Sequence, residues 1–148
     1  PESGGTTVAD GVSVSTSYKL GDTVITGITP GTGASSVLAN ISAGSGTVKV
    51  LKADGTENTG AVGTGNKIAV YANGTLVKQY DVVIYGDING DGKISVVDLV
   101  MMQKQILGTS QLSGAYAAAA DISRDGKVSV KDLVLLQKHI INAAQIEQ

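Results

Sequence analysis

The sequence predicts two small domains in tandem. Residues 10–85 read as a mainly β domain, Ig-like or a small α+β fold, and residues 86–148 as an all-α domain built from two loop–helix units. Up to residue 85, short β-branched and aromatic runs alternate with Gly, Asn and Asp turn signals about every ten residues, the mark of half-buried strands. From Gly86 onward, a 23-residue stretch (86–108) recurs without a gap at 120–142, an offset of 34. The copies agree at Asp, Ile, Asp, Gly, Lys, Ser, Val, Asp, Leu, Val, Gln, Lys and Ile, which is 13 of 23 positions. A chain of 148 residues leaves room for one domain or two small ones.

In chain order, Pro1–Ala9 reads as a linker remnant, and a start at Pro without Met or leader suits a piece of a longer secreted protein. Val12-Ser-Val14 alternates, as do Tyr18 and Leu20, with the period of strands. Ser35–Asn40 fits one short helix, and Thr47–Leu51 and Lys67–Tyr71 read as strands. Asp54-Gly55 and Asn73-Gly74 carry hairpin-turn chemistry, because Gly accepts positive φ. Thr75–Tyr85 is the longest expected strand and runs directly into the repeat. Gly-rich loops fall at residues 30–34 and 60–66. Tyr85-Gly86-Asp87 leaves no linker, with no run of Ser, Gly or Pro, so the β domain is expected to pack on the second domain as one rigid body.

Each repeat opens with oxygen donors at positions 1, 3, 5, 7, 9 and 12 of a twelve-residue turn, the spacing with which an EF-hand loop surrounds calcium. The first set is Asp87, Asn89, Asp91, Lys93 through its backbone carbonyl, Ser95 and Asp98; the second is Asp121, Ser123, Asp125, Lys127, Ser129 and Asp132. Gly92 and Gly126 occupy position 6, where the chain turns sharply. An all-oxygen set without Cys points to calcium, one ion per loop. Position 12 is Asp where an EF-hand has Glu, so bidentate coordination needs the following helix closer to the ion. Asp81–Tyr85 reads as a strand, so no helix enters the first loop, unlike a calcium sensor. Ser123 and Arg124 in the second loop lead to the expectation of weaker binding there.

After each loop a helix of about fourteen residues is expected from position 9. Leu99, Met102 and Ile106, like Leu133, Leu136 and Ile140, follow i, i+3, i+7 spacing and form a buried stripe. A second face carries Val96, Val97, Val100, Met101 and Lys104, and its twin carries Val130, Lys131, Val134, Leu135 and Lys138. That many apolar side chains on a solvated face call for a covering partner.

The tandem Asp-x-Asn-x-Asp-Gly-x-x-x-x-x-Asp loop and helix resemble a dockerin over about residues 86–142, and the preceding β domain resembles the X-module of X-module–dockerin pairs. The resemblance implies two calcium-stabilised helices packed antiparallel, a short middle helix, and a cohesin partner on a scaffoldin or surface protein. It further implies that the two apolar faces contact cohesin, with loop positions 10 and 11 setting specificity. Val96-Val97 and Val130-Lys131 stand there, which suits a scaffoldin-anchoring interface more than an enzyme-docking one. The expected function is calcium-dependent anchoring in a cellulosome or at a bacterial cell surface, by a module monomeric until it binds. The alternative is a carbohydrate-binding or stalk-like module in which calcium serves stability alone.

Other chemistries are disfavoured. A net charge of −2 offers no basic footprint for nucleic acid, and the absence of Cys removes disulfide, zinc and thiol chemistry. No apolar run is long enough to span a bilayer. His139 is the sole histidine and reads as a solvated or interface-edge residue, with no nucleophile to complete a triad. Asp10, Asp22 and Asp54 adjoin Gly in turn-like contexts. Without Trp or Phe, sugar stacking would fall to Tyr18, Tyr71, Tyr80, Tyr85 and Tyr116.

Overall fold

A computed structural model describes residues 12–148 in full and residues 4–9 by backbone alone. Asp10, expected in a turn, lies outside the described residues. The N-terminal half is mainly β. Strands β1 (Gly4–Ala9), β2 (Val12–Thr16) and β5 (Ile41–Ser42) form one antiparallel sheet in the order β1-β2-β5. Strands β3 (Lys19–Leu20), β4 (Val24–Thr26), β6 (Thr47–Leu51), β7 (Lys67–Ala72) and β8 (Thr75–Val82) form a second, ordered β3-β4-β8-β7-β6, with β4 and β8 parallel. Among the described residues, the one helix of this half is α1 (Ala34–Ala39). Alternation along β2 turns Val12 and Val14 inward, where they join Ile25, Val37, Ile41, Val50, Ile68, Val70, Tyr80 and Val82 in a single core shared by both sheets. Asn73 and Gly74 both adopt positive φ (52° and 79°), which suits the two-residue hairpin joining β7 to β8.

Two expectations need correction here. Gly4–Ala9, read as linker, is a strand paired with β2 through Ala9↔Val12. The Gly-rich start masked a run of Thr6-Thr7-Val8, whose branching favours the pleat. The longest strand stops at Val82 rather than Tyr85. Beyond it Val83 and Ile84 stay buried, but the Val83 amide bonds the Ile25 carbonyl and the Ile84 amide bonds the Thr64 hydroxyl. The chain therefore enters the first carboxylate loop already tied to the β half.

The second half contains α2 (Val96–Leu107), α3 (Gly114–Ala120) and α4 (Val130–Ile140). Each long helix starts at loop position 10, one residue later than expected, with Ser95 or Ser129 as N-cap. Gly108, at φ 78°, ends α2. The last turn of α2 lies beside the first turn of α4: Gln103, Ile106 and Leu107 share a groove with Val130 and Leu133. Met102 and Leu136 are fully buried with Ile88, Ala120 and Ile122, and Leu99, Ile106, Leu133 and Ile140 pack around them half-buried.

The C-terminal tail closes this half on itself. Gln148 accepts from the Tyr85 amide at 2.6 Å and donates to its carbonyl at 2.9 Å. Arg124 stacks 3.9 Å over the Tyr85 ring and donates to the Glu147 carbonyl. His139 is half-buried and accepts the Ile146 amide at Nδ1 (3.1 Å). It pins the tail, where the sequence suggested a solvated or interface-edge residue.

Met102→Ala and Leu136→Ala should each destabilise the helical half by about 2–5 kcal/mol through the cavity left behind. Urea unfolding followed by far-UV dichroism measures this, and a loss below about 1 kcal/mol would mean the pair does not carry the core.

Candidate metal centres and the apolar faces beside them

Each loop folds around its first carboxylate. Asp87 accepts from the Asp91 amide at Oδ1 (3.1 Å) and from the Gly92 amide at Oδ2 (3.0 Å). Asp121 takes the same groups, Asp125 (3.2 Å) and Gly126 (2.9 Å). The turn then continues through position 5, where Asp91 accepts the Lys93 amide (2.9 Å) and Asp125 the Lys127 amide (3.2 Å). Only the backbone of Lys93 and Lys127 is held in this way, and both residues are exposed. At position 3, Asn89 accepts from the Asp91 amide (3.2 Å) and Ser123 donates to Asp121 (3.5 Å).

Position 12 closes each loop from the other side. Asp98 accepts from Ser95 (2.8 Å) at Oδ2 and from Ile88 (2.8 Å) and Asn89 (3.0 Å) at Oδ1. Asp132 accepts from Ser129 (2.9 Å) and Ser123 (2.8 Å). Because the helix begins at position 10, position 12 is its third residue. The same carboxylate that faces the loop thus satisfies the N-cap amide, as in a capping box. Ser95 and Ser129 serve as caps, and the Ser95 hydroxyl accepts the Val97 amide (3.3 Å).

These bonds bring three carboxylates together in each loop. Oxygens of Asp87, Asp91 and Asp98 all lie within 4.8 Å of one another, and so do those of Asp121, Asp125 and Asp132. Asp87, Asp98 and Asp132 are fully buried. Burial pushes the Asp87 carboxyl up to about 6 against the pull of the Thr64 and Gly92 amides, and the charges of Asp98 and Asp91 add to the push. Burial also raises Asp98, against its three N–H donors. In the exposed part of the second loop, Asp125 is lowered, chiefly by the Lys127 amide. Three clustered carboxylates in each loop fit a hard divalent cation of calcium's kind.

The candidate partner faces divide. Val96, Val97, Val100, Lys104, Val130, Lys131, Val134 and Lys138 are exposed, with Val96 and Val130 at 58% and 59%. Met101 and Leu135 are half-buried and pack against the helical core, so their share in an outer face is smaller than expected. Sequence reasoning passed over Leu107 and Ile141, which are 75% and 71% exposed and occupy the same place in the two repeats. Their signal was there: positions 96, 100 and 107, like 130, 134 and 141, continue one helical stripe. Leu107 and Val130 line one groove, so the stripes of the two helices meet. All five tyrosines are buried or half-buried, leaving no exposed aromatic platform.

Residues 85–141 match the family described as the Dockerin type I domain. No protein with a curated description matches the chain. Among solved structures, two complexes of the third cohesin of ScaC with the ScaB dockerin from Acetivibrio cellulolyticus are similar. The complex carrying a mutation in the N-terminal helix is 25% identical, covers 44% of this chain and 92% of its own, and has a TM-score of 0.42. The one mutated in the C-terminal helix is 26% identical, covers 44% and 96%, and has a TM-score of 0.40. Both are described as displaying a type I interaction.

Asp98→Ala should destabilise the helical half more than Asp132→Ala, because three backbone donors lose their acceptor instead of two, at about 1–3 kcal/mol for each group left unsatisfied. Urea unfolding in saturating calcium compares them; an equal or reversed order would contradict the hydrogen-bond assignment.

Proposed function

We propose that this chain, whose residues 85–141 match the Dockerin type I domain family, is a calcium-dependent anchoring module that binds a cohesin domain. A dockerin is a non-catalytic binding module, and anchoring places its parent protein in a cellulosome or on a bacterial cell surface. The observation that carries the proposal is the coupling of two features within one repeat. A carboxylate triad fixes the start of a helix, and the outer face of that same helix is apolar and exposed.

Two calcium ions would be held, one by Asp87, Asn89, Asp91 and Asp98 with the Lys93 carbonyl and Ser95, the other by Asp121, Ser123, Asp125 and Asp132 with the Lys127 carbonyl and Ser129. Calcium supplies the positive charge that lets the carboxylates share a small volume. The chain's own residues do the remainder: Asp98 and Asp132 join loop to helix, and the helix presents Val96, Val97 and Val100, or Val130 and Val134. The two faces differ at Lys131, which takes the place of Val97. Burying an unpaired Lys is costly, so one binding orientation through the first face should dominate. The β domain would act as an X-module-like support. A sugar-binding role for it has little to stand on without an exposed aromatic face.

Titration calorimetry against a panel of cohesins, in millimolar calcium and in EDTA, tests the function. Tight binding to one class that EDTA abolishes is expected. Calcium uptake with silence across the whole panel would contradict anchoring to cohesin and favour a stalk. Within the complex, Val97→Asp should cripple binding while Lys131→Asp does little; the reverse, or equal effects, would refute the single dominant orientation. Chelation should remove much of the helical dichroism signal while the β half stays folded, and a spectrum indifferent to EDTA would overturn calcium's structural role.

A further inference from the structure

The first carboxylate makes the same pair of bonds within each loop, but its surroundings differ, and that difference comes from the β domain. The Thr64 amide, in the Gly-rich loop 60–66, donates to Asp87 Oδ2 at 2.9 Å. Thr64 is itself held, since its hydroxyl accepts from the Ile84 amide (3.1 Å) and donates to the Ile84 carbonyl (3.2 Å). From the other Gly-rich loop, the Gly31 amide donates to the Gly92 carbonyl at 2.9 Å. In the second loop, Asp121 receives its backbone donors from Asp125 and Gly126, both within the loop.

The approach of the two backbones excludes side chains on both sides of the seam. A Cβ on Gly63 would sit 2.2 Å from the Gly90 carbonyl oxygen, one on Gly90 would sit 2.5 Å from the Thr64 oxygen, and one on Gly92 would sit 2.8 Å from the Val62 oxygen. At Gly126, the counterpart of Gly92, nothing lies within 4 Å. The counterpart of Gly90 is Arg124. Both adopt left-handed φ, 80° and 61°, so backbone conformation alone does not demand Gly at this position. Contact with the β domain does.

We infer that the 60–66 loop of the β domain is a positioning element for the first cation site, with the Thr64 amide holding Asp87 in place, so that calcium affinity of the first loop depends on the β domain and that of the second does not. This rests on the proposed binding of calcium in the loops. The physical reason is preorganisation: a carboxylate oxygen fixed by an outside N–H, inside a dry backbone seam, loses less freedom when the cation arrives. Linkage makes the effect reciprocal, so calcium in the first loop must tighten the seam.

Gly63→Ala in the full chain tests this, with Gly60→Ala as the matched control, since a Cβ there would meet nothing closer than Asn58 Oδ1 at 3.7 Å. Calcium titration is followed at the Gly92 and Gly126 amide resonances, each reporting its own loop. Gly63→Ala should weaken the first site by about 10- to 100-fold, the cost of losing an outer partner of a metal ligand, while leaving the second unchanged. Gly60→Ala should alter neither. Equal weakening of both sites, or an unchanged first site, overturns the inference. Hydrogen exchange of the Thr64 amide in the unaltered protein gives a check that needs no variant: it should slow in calcium relative to EDTA, and equal rates overturn the inference. If calcium shifts neither glycine amide in the unaltered protein, the calcium reading itself falls and takes the inference with it. If both shift and Gly63→Ala is silent, only the inference falls.

Discussion

Asp87, Asp98 and Asp132 are carboxylates sealed from water, and the helical half is organised around the problem they create. Removing a charged group from water without a partner is expensive. Here the backbone supplies part of the compensation, with three N–H donors on Asp87, three on Asp98 and two on Asp132. Those bonds set where each helix begins, because the position-12 carboxylate also satisfies the N-cap amide. A cation bound as proposed would neutralise what the amides leave over. Loop and helix start form one unit, and the helix start determines which valines face outward.

The repeat made this half readable from sequence. Asp, Gly and Ser recur at positions that matter for a liganding turn, and the helix stripe through Met102 and Leu136 follows from 3.6-residue spacing alone. In the β half, the strands at 47–51 and 67–72 and the Asn73-Gly74 turn were legible for a local reason: each depends on neighbours in the chain. Sheet order depends on distant partners. Nothing local announces that β4 lies parallel to β8, or that two sheets share one core. The Gly-rich start hid β1 because a composition suited to linkers can still pair when a Thr-Val run follows.

What sequence reasoning could not reach at the site was mostly contact between segments far apart in the chain. Thr64 lies 23 residues before Asp87, and nothing in the run Gly63-Thr-Gly65 says that its amide ends on a carboxylate. The tail's contact with Tyr85 joins residues 63 apart in sequence through Gln148, which belongs to no motif, and Arg124 of the second loop stacks on the same tyrosine ring. Arg124 shows how the missing context changes a judgement. In sequence it is an unfavourable charge in a cation loop; in the fold its guanidinium is taken up by the Tyr85 ring and the Glu147 carbonyl. Gly90 is the complementary case, a glycine whose small size serves the neighbouring domain more than its own turn.

The central claim is that each carboxylate triad is a calcium site. Crystals grown in calcium, with anomalous scattering recorded at long wavelength, address it directly. Two anomalous peaks are expected, one among Asp87, Asp91 and Asp98 and one among Asp121, Asp125 and Asp132. Empty triads, or peaks only elsewhere on the molecule, would contradict it.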